Sequence, residues 1–227
     1  MNNPPRILIV DDEPFNVDYL EQELADFGYE LLTAANGEEA LEKIRTGAPD
    51  LVLLDIMMPI MDGFTVLEQA KADAAIRNIP IIIISANNDL QSVVKGLQKG
   101  AEDYLPKPFE PTILYARISA SLDRKRLRDQ EQIYLQSLEN ELNIARNIQQ
   151  EFLPAELPVL EGWEIAPYFK AAKFVAGDYY DAFTLPNGNL VFTVGDVCGK
   201  GIGAALFMTL FRSLLRATST AGYLVEE

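Results

Sequence analysis

Five short apolar runs constrain the first half of this chain more than any other feature. They are Arg6–Val10 (RILIV), Glu30–Ala34 (ELLTA), Leu51–Leu54 (LVLL), Ile79–Ile84 (IPIIII) and Asp103–Leu105 (DYL). Each has strand length and little alternation, the pattern of a strand covered on both faces. Between them lie amphipathic segments near residues 14–27, 37–45, 64–73 and 88–99. Pro14 suits a first helical turn, and Gly28, Gly47 and Gly100 suit helix ends. Strand and helix in alternation predict an α/β fold, a parallel sheet with helices on both sides.

In such a sheet, ligands bind beyond the carboxyl ends of the strands. Asp11 and Asp12 follow the first run, Asp55 the third, Ser85 the fourth and Lys107 the fifth. Taken singly, Asp12 could cap the helix beginning at Pro14 and Ser85 could be a turn residue. Five polar groups at four strand ends are harder to explain by capping. They suit phosphoryl transfer to a carboxylate, in which one aspartate attacks phosphorus and becomes an acyl phosphate. Clustered carboxylates call for a divalent cation, and a lysine and a hydroxyl can hold the remaining phosphoryl oxygens.

Composition narrows the chemistry further. Among 227 residues there is no histidine and one cysteine, Cys198. Ser-His-Asp and Cys-His catalysis are excluded, as is an intrachain disulfide, and a phosphohistidine would have to come from another protein. Carboxylates, the ligands of Mg²⁺ and Mn²⁺, are abundant. The net charge of −15 disfavours nucleic acid and anionic lipid as main partners. The N-terminus does not read as a signal peptide, and no apolar run approaches the ~20 residues of a membrane helix. A cytoplasmic location is expected.

After Pro111 the pattern changes. Nothing breaks a helix until Pro154, and Leu135, Leu138, Leu142, Ala145 and Phe152 are spaced 3, 4, 3 and 7, with Gln149 in the missing slot. This is a short coiled-coil seam, and it points to a homodimer or to an amphipathic helix packed on its own domain. The basic cluster Arg124, Lys125, Arg126 and Arg128 reads as a solvated face. From Glu156 onward, WEIAPYFKAA, GDYYDAFTL and NLVFTVGDV read as strands, PNGN as a hairpin turn and GAALFMTLFRSLLRATS as a buried helix. So few elements make a poor independent domain.

Gly199, Gly201 and Ala204 satisfy the dinucleotide pattern G-x-G-x-x-[GA]. Yet the loop follows a hairpin, not the first strand of a βαβ unit, and Asp196 would repel a phosphate. A metal centre built on Asp196, or glycines that serve tight packing beside an exposed Asp196, are the readings left.

The motifs LIVDDEP, LVLLDIMMPIMDG, IIIISAN and GAEDYLPKPF together resemble a response-regulator receiver domain, over residues 5 to about 122. The resemblance implies a flavodoxin-like (βα)₅ fold and Asp55 as the residue phosphorylated by a histidine kinase or phosphotransfer protein. It implies Mg²⁺ held by Asp12, Asp55 and the carbonyl of Met57, with Asp11 assisting. Ser85 and Lys107 would contact the phosphoryl group, and Tyr104 matches the aromatic that follows the Ser85 hydroxyl. Lys107–Pro108 matches a peptide bond that is commonly cis.

ELNIARNIQQEFLP, VAGDYYDAF and VFTVGDVCGKGIGAALFMTLFRSLLRA resemble the sporulation and stress-response branch of the metal-dependent PPM serine/threonine phosphatases. Carried over, Asp178 and Asp196 would hold a two-metal centre of Mn²⁺ or Mg²⁺, with the Val197 carbonyl adding a ligand. Ala176 departs from the family's usual glycine. The family's later aspartates lie in downstream motifs that do not occur before Glu227, so this chain is expected to have little or no phosphatase activity. The implied substrate is a phosphorylated anti-sigma-factor antagonist or similar regulator. The expected organisation is a receiver (1–122), a helical linker (123–153) and the N-terminal part of a phosphatase domain (154–227). The rival is a non-catalytic adaptor or dimerising regulator with a phosphatase-like output.

Overall fold

The computed structural model describes residues 4–86, 90–159, 161–171 and 174–221. The expected start of the fourth helix at 88, and Ala172 at the end of WEIAPYFKAA, lie outside them. The chain divides into two compact units, residues 1–131 and 132–227, and the division falls inside a long helix.

In the first unit the elements are β1 (Arg6–Val10), α1 (Pro14–Leu24), β2 (Glu30–Ala34), α2 (Gly37–Gly47), β3 (Leu51–Leu54), α3 (Gly63–Ala72), β4 (Ile81–Ser85), α4 (Leu90–Gln98), β5 (Asp103–Pro106) and the first part of α5 (Pro111–Glu151). All neighbouring strands pair in parallel, in the order β2-β1-β3-β4-β5. The period of two splits the apolar runs between faces. Leu8, Val10, Val52, Leu54, Ile81 and Ile83 meet α2 and α3, while Ile7, Ile9, Leu51, Leu53, Ile82 and Ile84 meet Leu20 and Leu24 of α1 and Leu114, Ile118 and Leu122 of α5. Each such side chain contributes about 1.5–3 kcal/mol of burial before chain entropy is counted. That two-sided core is why the runs show no alternation.

Two local expectations change. Gly47 is the last residue of α2, and Ala48 takes the left-handed position after it (φ 42°). The basic cluster is not simply solvated. Arg124 pairs with Glu102 at 2.6 Å, Arg128 with Glu102 at 3.3 Å and Lys125 with Asp50 at 3.0 Å, while Lys125 also pairs with its helical neighbour Asp129 (2.8 Å) and Arg126 with Asp123. These carboxylates stand at the edges of β5 and β3, so the cluster fastens α5 to its own sheet. Each exposed pair is worth about 0–1 kcal/mol.

The second unit holds the end of α5, an antiparallel hairpin of β6 (Tyr179–Thr184) and β7 (Leu190–Gly195), and α6 (Ile202–Thr220). The hairpin turn falls at Pro186–Asn189 as expected, with Gly188 at φ 86°. Apart from an isolated bridge at Trp163, Trp163–Lys170 forms no strand, contrary to the sequence expectation. A strand needs a pairing edge, and the hairpin is the whole sheet among the described residues. The helix α6 forms but is not buried. Ala204, Ala205 and Met208 pack inward, whereas Leu206, Phe207, Leu210, Phe211 and Leu214 are exposed. Two strands can cover one stripe of a helix, not two.

The seam on α5 is likewise uneven. Leu135 and Leu138 are exposed, Leu142, Ala145 and Phe152 are half-buried, and Gln149 is buried. No helix among the described residues is long and apolar enough to cross a membrane.

Candidate functional site

The sheet itself assembles the first site. The parallel ladder runs one residue past the strands, since the Asp11 amide donates to the Ala34 carbonyl (3.1 Å), the Asp55 amide to Val10 (2.9 Å) and the Lys107 amide to Ser85 (2.8 Å). Asp11, Asp55 and Lys107 are therefore held at one rim by backbone pairing. Lys107 Nζ donates to Asp11 Oδ2 at 2.7 Å and to Asp55 Oδ1 at 2.8 Å. The other oxygen of Asp55, Oδ2, accepts from the Met57 amide at 2.6 Å. Lys107–Pro108 is cis.

Both carboxylates are buried, Asp11 at 3% and Asp55 at 7% exposure. Burial pushes the Asp55 carboxyl above its ordinary pKa. Lys107 opposes the rise through its hydrogen bond and charge, and Asp11 adds to it. For Lys107, burial acts downward, but the hydrogen bonds to Asp11 and Asp55 outweigh it and raise the ammonium pKa.

Ser85 is fully buried at the end of β4 and Tyr104 is buried in β5, beside Gly96 and Ile83. Asp12 is exposed at the same rim. It does not act as the cap of α1, whose N-cap is Glu13, with no side-chain hydrogen bond.

Gly63 and Asn16 also shape this rim. Gly63 opens α3 against the backbone after Asp55, where a Cβ would lie 2.1 Å from the Asp55 carbonyl oxygen. The MDG stretch contains it, but only the fold shows the close approach. Asn16, on the first turn of α1, donates to both oxygens of Asp11 at 3.0 and 3.1 Å. No sequence signal marked it.

Two carboxylates against one ammonium leave the rim net negative, and its donors are oxygens. That is the chemistry Mg²⁺ accepts. Among the described residues, no three His, Cys, Asp or Glu side chains already converge as a metal cage. In this arrangement Lys107 occupies the space between Asp11 and Asp55.

The second site follows from hairpin register. Tyr179 pairs with Gly195, so Asp178 and Asp196 stand opposite one another just beyond the ladder. Desolvation, and then repulsion from the Asp196 carboxylate, raise the Asp178 pKa. The Val197 amide donates to the Gly177 carbonyl, and a Cβ on Gly177 would lie 2.6 Å from the Val197 carbonyl oxygen. Gly199 (φ 113°) and Gly201 (φ 80°, ψ −159°) hold backbone conformations that a side chain would strain. The two aspartates, Gly177, Gly199 and Lys200 line an open cleft of about 340 Å³.

The cleft wall is fixed by α5. Gln149 Nε2 donates to the Ala176 carbonyl at 2.5 Å, and its Oε1 accepts from the Ala176 amide at 3.0 Å. The polar residue in the apolar seam thus serves as a clamp on the strand entering Asp178. Its position is legible from the heptad spacing, its partner only from the fold.

Residues 7–119 match the response regulator receiver domain family, and residues 186–227 match the stage II sporulation protein E family. The chain is 44% identical over 122 residues to the response regulator PleD of Caulobacter vibrioides, covering 54% of this chain and 27% of PleD. It is 41% identical over 122 residues to the alkaline phosphatase synthesis transcriptional regulatory protein PhoP of Bacillus subtilis, covering 54% of this chain and 50% of PhoP. The chain spans about half the length of such curated relatives, or less. The crystal structure of a CheY-like receiver domain protein from Methanospirillum hungatei superposes with a TM-score of 0.52 at 34% identity, covering 55% of this chain and 98% of that one.

Proposed function

We propose that this chain, which belongs to the response-regulator family through its receiver domain at residues 7–119, takes a phosphoryl group on Asp55 and passes the signal to a phosphatase-type output. The observation that carries this reading is Lys107 Nζ set between Asp11 and Asp55, 2.7 and 2.8 Å away, at the carboxyl edge of the sheet. The donor is a phosphohistidine on a histidine kinase or phosphotransfer protein, since this chain has no histidine of its own.

In the step itself, an Asp55 carboxylate oxygen bonds to phosphorus as the phosphorus–nitrogen bond of the donor breaks, and the imidazole keeps the electron pair and takes up a proton. Asp11, Asp12, Asp55 and the Met57 carbonyl would hold Mg²⁺. When bound, the ion neutralises charge on the transferring oxygens. Met57 N–H keeps one Asp55 oxygen engaged and leaves the other toward Lys107. Lys107 then exchanges its contact with Asp55 for one with a phosphoryl oxygen, joined by the Ser85 hydroxyl. Tyr104, buried beside β4, follows that rearrangement.

The output is read as a metal-dependent protein serine/threonine phosphatase acting on a phosphoprotein such as an anti-sigma-factor antagonist. Support for it is the family match at 186–227 and the pairing of Asp178 with Asp196. Two carboxylates are half of a two-metal ligand set, so this chain turns over little or no phosphoserine peptide. That same shortage favours the second reading, a non-catalytic adaptor.

Incubation with Mg²⁺ and a small acyl phosphate donor tests the proposal. One phosphoryl group on the wild type and none on Asp55→Asn is the expected result. Equal loading of both overturns it. A phosphoserine peptide with Mn²⁺ separates the outputs, and robust turnover by this chain contradicts the incomplete-site reading.

A further inference from the structure

We propose that Asn16 is a positioning residue for Asp11, and that its side-chain amide sets the affinity of the receiver rim for a divalent cation. The inference rests on the Mg²⁺ reading above and adds to it a residue that neither motif nor family match identifies. Asp11 makes four close contacts. Oδ2 accepts from Lys107 Nζ at 2.7 Å and from Asn16 Nδ2 at 3.1 Å, and Oδ1 accepts from Asn16 Nδ2 at 3.0 Å and from the Glu13 amide at 3.0 Å. A point charge such as the Lys107 ammonium attracts a carboxylate without fixing the angle of its plane. An amide that spans both oxygens fixes that angle.

Asn16 is itself held. Its Nδ2 lies 3.3 Å from Glu13 Oε2 and its backbone amide donates to the Glu13 carbonyl at 3.0 Å. The result is a short relay, Glu13 to Asn16 to Asp11, built on the rigid first turn of α1. Asparagine is a poor helix former because its amide competes for backbone partners. Here that amide is turned to the rim instead. Partners that orient a metal-binding carboxylate typically change metal affinity by 10–100-fold when removed.

The side chain also lines a cavity of about 430 Å³ together with Tyr19, Lys107, Pro108 and Phe109. A substituted side chain has room there, so the amide can be removed without forcing α1 off the sheet.

The test uses the full chain. Isothermal titration with MgCl₂ reads the dissociation constant, and the ¹³C resonance of the Asp11 carboxylate, without metal, reads its orientation. Asn16→Leu should weaken Mg²⁺ binding about tenfold or more and shift the Asp11 resonance. An unchanged dissociation constant overturns the proposal, whether or not the resonance moves. So does weakened binding with an unmoved resonance, which would mean that Asn16 acts by another route. If the wild type itself binds no Mg²⁺, the magnesium reading fails first, a result distinct from equal binding by wild type and variant. Should Asn16→Leu not fold, Asn16→Ala, which only removes atoms, is judged by the same two readouts.

Discussion

At the residue scale, the rim trades stability for chemistry. Burial raises the Asp55 pKa, so its ionisation opposes the metal-free fold. Below the unfolded carboxylate value, about 3.9, the residue is neutral in both states and costs nothing. The cost grows as pH rises from that value toward the raised folded value and is complete above it. Asp55→Asn should therefore raise the metal-free melting temperature at pH 7, by roughly 2–4 °C for each kcal/mol relieved, with no gain below about pH 4. A thermal scan at both pH values checks this. A destabilised Asp55→Asn at pH 7 counts against the reading.

Lys107 acts in the opposite sense. Lys107→Ala leaves two buried carboxylates facing each other, at a cost of about 3–5 kcal/mol near neutrality. Urea melts should show that loss shrinking when Mg²⁺ is added. Gly63→Ala drives a Cβ into the Asp55 carbonyl oxygen, and overpacking of this kind costs about 1–3 kcal/mol. A receiver that melts unchanged after that substitution would remove Gly63 from the account.

Asp11, Asp55 and Lys107 could be read from the sequence because strand ends and residue type coincide. Asn16 and Gly63 could not. Their importance comes from hydrogen bonds and a close approach that arise only once α1 and α3 are docked.

At the scale of elements, the five strand runs were legible because burial on both faces leaves an uninterrupted apolar string. The long helix was legible from the absence of breakers between Pro111 and Pro154. Less legible was what each helix would face. The seam on α5 contains Gln149, which only its bonds to the Ala176 backbone, ahead of β6, explain. The apolar α6 predicted a buried helix, but burial depends on how many strands are present to cover it. The clamp gives a direct prediction. Gln149→Ala removes both partners of the Ala176 backbone and costs about 1–3 kcal/mol in the second unit. Hydrogen exchange at the Ala176 amide should accelerate, while the melting of residues 1–131 stays the same. Unchanged protection at Ala176 would show that the clamp is not formed in solution.

At the scale of the whole molecule, the receiver is a complete (βα)₅ unit with its own two-sided core, and the second unit, among the described residues, holds a hairpin, α6 and the end of α5. The helix α5 belongs to both, packed on the sheet through Leu114, Ile118 and Leu122 and clamped to Ala176 through Gln149. The central claim is that phosphorylation of Asp55 is felt at the Asp178–Asp196 cleft through this shared helix. The most direct measurement is amide hydrogen exchange of Ala176 before and after the chain is loaded by Mg²⁺ and a small phosphodonor. The account predicts that protection at Ala176 changes on loading in the wild type and does not change in Asp55→Asn. Identical protection in a wild-type chain shown by mass to be fully phosphorylated on Asp55 would contradict it.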